Sequence, residues 1–185
     1  SGEDNTGVGF FSMTKNITGS NNTAIGRSAL YSNEDGIYNT AAGNSALLSN
    51  ITGNNNVALG SGALNKNTTA SENTATGVFS LHDNVTGDKN TAVGYISLSK
   101  NDSGKSNTAV GNAALYSNTT GNFNVATGRS ALYSNKDGHY NTATGNKALQ
   151  SNITGNNNVA LGSGALKKNT TASENTATGV YSLHD

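Results

Sequence analysis

The chain has 185 residues, eleven Lys and Arg against eleven Asp and Glu, and no Cys, Pro or Trp. That balance offers no basic stripe for nucleic acid, and the missing thiols exclude disulfides, thiolate zinc sites and cysteine catalysis. Leu, Ile, Val and Phe total 32 residues, a share below the roughly 20% that accompanies disorder. Zero net charge and strict periodicity nevertheless argue for an ordered fold with little interior.

Asn5, Asn22, Asn39 and every seventeenth residue through Asn175 open eleven units, with no insertion or deletion between them. Position 5 of each unit is Gly, from Gly9 to Gly179. Position 9 is Leu except for Met13, position 3 is Ala except for Gly7, and position 12 is Asn wherever it is present. A fixed short period marks a solenoid whose inward residues see the same neighbours in every layer. The apolar positions lack the i, i+3, i+4 spacing of a helix.

In chain order, each unit opens on a strand over positions 1–4, as in Asn90-Thr-Ala-Val-Gly94. There Thr91 and Val93 share one face and Ala92 the other. The invariant Gly makes a corner that a side chain would obstruct. A second strand is expected around positions 7–11. A second corner follows at Asn-x-Thr-Gly, for example Asn50 to Gly53, where Asp35-Gly36 and Asp137-Gly138 fill the same slot in other units. Asn at positions 1 and 12 is placed to hydrogen-bond from layer to layer. The prediction is an all-β parallel β-solenoid, or β-roll, of about eleven 17-residue coils, roughly 50 Å long at about 4.7–4.8 Å per layer.

One dependable large core residue per coil is little apolar burial against seventeen ordered residues. This predicts an obligate homo-oligomer that buries positions 2 and 4 between chains. The chain starts and stops in mid-coil without a capping element, so residues 1–185 are expected to be one repetitive segment of a longer fibre. Residues 22–83 recur as 124–185, identical at 53 of 62 positions, which points to duplication of a six-coil block.

Asn90-Thr-Ala-Val-Gly94, its copy at 107–111, and the variants Asn22-Thr-Ala-Ile-Gly26 and Asn56-Val-Ala-Leu-Gly60 resemble the head repeats of YadA-like trimeric autotransporter adhesins. Those repeats read Asn-Ser-Val-Ala-Ile-Gly; the unit here is longer, with Thr before Ala. Similar repeats occur in phage tail fibres and related bacterial fibre proteins. The resemblance implies a trimeric, left-handed β-roll on a bacterial surface, anchored in the outer membrane through other regions, or on a virion fibre. It also implies adhesion to host matrix, glycan or neighbouring cells, and it carries no binding residue with it.

Few residues carry chemistry. His82 and His184 occupy one repeat position, before Asp83 and Asp185, with nothing nearby to orient a Ser-His-Asp triad. Gly7-Val-Gly9 lacks the third glycine and the strand-to-helix setting of a dinucleotide loop. The Asp-Gly turns do not form a calcium repeat. Asn-x-Thr/Ser at Asn16, Asn67, Asn101 and Asn169 matches a glycosylation acceptor. Turn chemistry explains the same residues without modification, and Asn33 and Asn135 keep the corner with Asp in place of Thr. The rank of Thr at position 2, broken by Val57, Val125 and Val159, resembles an ice-binding array. Paired Thr-x-Thr, however, occurs only at Thr74, Thr142 and Thr176 with their partners two residues on.

The candidate contact surface is therefore the set of variable residues that a bare scaffold does not need. These are Arg27, Tyr31 and Tyr38, their copies Arg129, Tyr133 and Tyr140, and Tyr116, Phe123 and His139. Tyr rings stack on sugars or fill interfaces, and Arg adds planar hydrogen bonding. The same rings also suit packing over coil corners. No catalytic, cofactor-binding or metal-ligating residue is assigned. The expected function is a non-enzymatic, multivalent adhesin rod, with phage-type fibre and ice-binding solenoid as alternatives. The expected partners are further copies of itself as a homotrimer and a glycan or protein on a cell surface, with no nucleic acid and no membrane insertion by this segment.

Overall fold

In the computed structural model, which describes residues 2–184, the chain is a β-solenoid. Eleven three-residue strands, β1 (Thr6–Val8) through β11 (Thr176–Thr178), lie in sequence order in one parallel sheet. The register is seventeen residues throughout, with Thr91 beside Thr108, Ala92 beside Ala109 and Val93 beside Val110. Among the described residues no helix is long and apolar enough to cross a membrane.

Strand alternation sets the first wall. Ala at position 3 turns inward and is fully buried from Ala24 to Ala160, while positions 2 and 4 face outward. The corner glycines that follow have φ between 122° and 140°. A β-carbon on Gly94 would stand 2.6 Å from the Gly111 carbonyl oxygen. Chirality and the next coil both exclude a side chain there.

The expected second strand does not form. Positions 7–11 are turns, in which positions 7 and 9 have positive φ, 55° at Ser28 and 52° at Leu30. The reason lies in the core. Ala29 and Leu30, adjacent in sequence, are both fully buried, and a pleated strand cannot send two successive side chains to one face. A left-handed residue at position 9 can. The backbone still bonds across coils: Ser28 N–H donates to Phe10 C=O at 2.8 Å, and Leu30 N–H to Ala46 C=O at 2.9 Å.

The third wall is polar, and both expected asparagine ladders are present. At position 12, Asn50 Nδ2 donates to Asn33 Oδ1 of the preceding coil at 2.8 Å and to Gly53 C=O at 2.9 Å. At position 1, Asn39 Nδ2 donates to the same Gly53 carbonyl at 2.8 Å, and its Oδ1 accepts from Asn56 N–H at 3.0 Å. Two amides thus converge on one carbonyl and close the coil, as they do again at Gly36, Gly104 and Gly121. Among the described residues, no buried side-chain nitrogen or oxygen lacks a partner, as burial of polar groups demands.

Candidate functional site

The outward residues fall into columns that run the length of the rod. Positions 2 and 4 form an uncharged face, Thr, Val, Ile, Leu or Ala in every coil. On it Ile25 is 48% exposed and Val93 36%.

The proposed contact residues occupy several columns. Arg27 and Arg129 stand exposed at position 6. Position 10 carries Tyr31, Tyr116 and Tyr133; the last two stack at 5.2 Å with 13° between planes. Tyr31 instead meets Phe11 edge-on at 6.1 Å and lies 5.1 Å from the Lys15 ammonium. Position 17 carries Tyr38, Phe123 and Tyr140. The last two stack at 4.9 Å and 6°, while Tyr38 is 56% exposed. The structure brings the rings together along columns. In each stacked pair one ring covers one face of the other.

His139 belongs to a column that the consensus hides. At position 16, the backbone N–H of one coil donates to the position-16 side chain of the next. Ile37 donates to Asn54 Oδ1 at 2.8 Å, Asn54 to Ser71 Oγ at 2.9 Å, and Ser71 to Asp88 Oδ1 at 3.0 Å. Asn122 donates to His139 Nδ1 at 3.1 Å, and His139 to Asn156 Oδ1 at 2.7 Å. Ser, Asn, Asp and His share only an acceptor, so a residue-by-residue consensus does not find them. A search for acceptors at one position would have.

The His82–Asp83 pair does exist, with Nδ1 and Oδ1 2.7 Å apart. Asp83 is, however, also held by Lys66 at 3.0 Å and Lys100 at 2.8 Å, from the coils on either side. Burial alone would raise the Asp83 pKa, but hydrogen bonds from Lys100, Lys66 and His82 outweigh it and hold the carboxyl well below the usual carboxylate range. The same bond raises Lys100. Asp88 is lowered too: burial opposes, and the Lys105 ammonium at 2.9 Å and the Ser71 N–H prevail. These are charge ladders along the rod. The second pair cannot be compared, because Asp185 lies outside the described residues.

Two recesses stand out. One, of about 350 Å³, lies at the last coil between Leu166, Asn169, Asn175 and Leu183. The other is a cleft of about 80 Å³ lined by Asn146, Lys147, Ser163, Gly164, Lys167 and Tyr181. Among the described residues no three His, Cys, Asp or Glu gather as metal ligands do. No protein-family model, curated protein or solved structure matches the chain.

Proposed function

We propose that this segment is a non-enzymatic attachment fibre of a cell or virion surface, a stiff rod that meets its partner through many weak contacts. One observation carries the reading: eleven strands in one parallel sheet, each seventeen residues from the next, hold every surface column in register from end to end. Repetition of a weak contact along a rigid body raises the effective concentration of each further contact. The uncharged face of positions 2 and 4 supports a homo-oligomer, the trimer implied by the adhesin-like repeats. It runs the whole rod, and burying it between chains desolvates no charge.

An ice-binding role fits this face less well. Val57, Val125 and Val159 interrupt the Thr rank at position 2, and beside it Ile25, Leu59 and Leu161 at position 4 break the flatness that matching a lattice needs.

A glycan and matrix-protein array probed with the labelled rod tests the attachment reading. Saturable binding that strengthens with the number of rods per bead is the expected result. Uniform failure to bind any surface ligand would reduce the segment to a spacer.

A further inference from the structure

The two copies of the six-coil block differ at nine positions, and the differences are not scattered evenly. Three of them, Ser45/Lys147, Asn65/Lys167 and Phe79/Tyr181, fall on the cleft over Gly164. In the first copy the corresponding polar groups satisfy one another. Ser45 Oγ donates to Asn44 Oδ1 at 2.9 Å, and Asn65 Nδ2 reaches across to the Ser45 carbonyl at 3.0 Å. In the second copy both positions carry lysine. Neither Lys147 nor Lys167 takes part in the ion pairs seen among the described residues, such as those of Lys66, Lys100 and Lys105, so their ammoniums stand without a carboxylate partner.

The balance of charge changes with them. Residues 22–83 hold two Lys and Arg against four Asp and Glu, whereas 124–185 hold five against three. A rod neutral as a whole is thus acidic in one copy and basic in the other. The cleft, of about 80 Å³, is small and has room for one oxyanion group. Tyr181 lies at its side and adds a hydroxyl where the first copy has Phe79. Two lysines beside a phenol suit an anion carried on a sugar ring.

We propose that this cleft binds an acidic glycan, with the sulfate or carboxylate group between Lys147 and Lys167 and the sugar ring against Tyr181. This names a ligand class for the attachment rod and rests on that reading only for its biological use.

Because the first copy already carries Ser, Asn and Phe at the corresponding positions, the triple variant K147S/K167N/Y181F keeps residues that the fold accommodates. Titration calorimetry with the full chain would use a sulfated hexasaccharide, its desulfated carboxylate counterpart and a neutral one. The wild type is expected to bind one acidic hexasaccharide and not the neutral one, more weakly as salt rises. The triple variant is expected to lose roughly tenfold or more in affinity. The converse variant S45K/N65K/F79Y should raise the stoichiometry from one to two. Preference between the two acidic sugars identifies the oxyanion. Unchanged affinity in the first variant, equal binding of the neutral sugar, or no second site in the converse variant overturns the proposal. Cell attachment by a wild-type rod that binds no acidic sugar removes the cleft but not the fibre function. Acidic-sugar binding without cell attachment does the reverse.

Discussion

The ring of Phe79 lies against Gly62 of the preceding coil, so close that a β-carbon on Gly62 would stand 2.6 Å from a ring carbon. Tyr181 repeats this over Gly164. Other coils carry Ser at the same position with φ near 55°, and Gly62 has φ 66°. The glycine therefore serves the neighbouring ring more than its own backbone. Gly62→Ser should cost about 1 kcal/mol, the low end for overpacking because the ring can swing outward. Adding Phe79→Ser should recover most of that loss in urea unfolding. Strict additivity of the two substitutions would show that the residues do not interact.

Asn101 and Asn112 are one residue type with opposite expectations. Asn101 is buried and donates to Asn84 Oδ1 at 2.7 Å and to Gly104 C=O at 2.9 Å. Its Oδ1 accepts from Asn118 at 2.7 Å. Asn101→Ala orphans these groups, each worth about 1–3 kcal/mol when buried, and should lower the melting temperature sharply. Asn112→Ala, at an exposed position 6, should stay within about 0.5 kcal/mol of wild type.

The lowered pKa values of Asp83 and Asp88 make the rod acid-sensitive. A carboxylate whose folded pKa is depressed stabilises fully above its ordinary value, near 3.8. That contribution is lost as pH falls through the lower folded value. The stability difference between wild type and Asp83→Asn should be largest near neutral pH and shrink below about pH 4. A difference independent of pH down to pH 2 would exclude the charge ladder as its source.

Position 17 has positive φ from Asn21 to Glu174, in each of the ten coils that reach it. Asn55 adopts 56° there and Glu72 61°. Asn accepts this region more readily than Glu. Glu72→Asn should therefore stabilise the rod by a fraction of a kcal/mol, visible as a small rise in melting temperature.

Val93 and Val110 are neighbours on the uncharged face. In the double variant Val93→Glu/Val110→Glu, light scattering should fall from oligomer to monomer and the far-UV circular dichroism should weaken with it, because charge cannot be buried there unpaired and the separated chain has too little core to stand alone. A wild-type rod that is already monomeric would remove the trimer.

The asparagine, leucine and corner-glycine positions were legible because inward residues meet the same neighbours in each layer. Leu98 and Asn101, both fully buried, stand for all of them. The second strand was misread although its contradiction lay in view: the position of Ala29 is always Ala or Ser and that of Leu30 always Leu or Met, so two adjacent positions of fixed character both had to face inward. The acceptor column through Asn54, Ser71, Asp88 and His139 was hidden because its members share a function and not a residue type. The nine contact candidates were found as outliers from the scaffold, but their mutual stacking depends on register between coils. The Lys147–Lys167 cleft was missed because it spans three coils and appears only when the two copies are subtracted.

Each coil is bonded only to the coils before and after it, through the in-register strands and the asparagine columns. Under tension such a rod peels from an end. Every coil released yields seventeen residues of slack, roughly 55–60 Å of extended chain, while the remaining rod shortens by one strand spacing. The ladder that fixes the surface columns in place is thus also a shock absorber with equal steps, able to lengthen many-fold while the coils still stacked keep their shape.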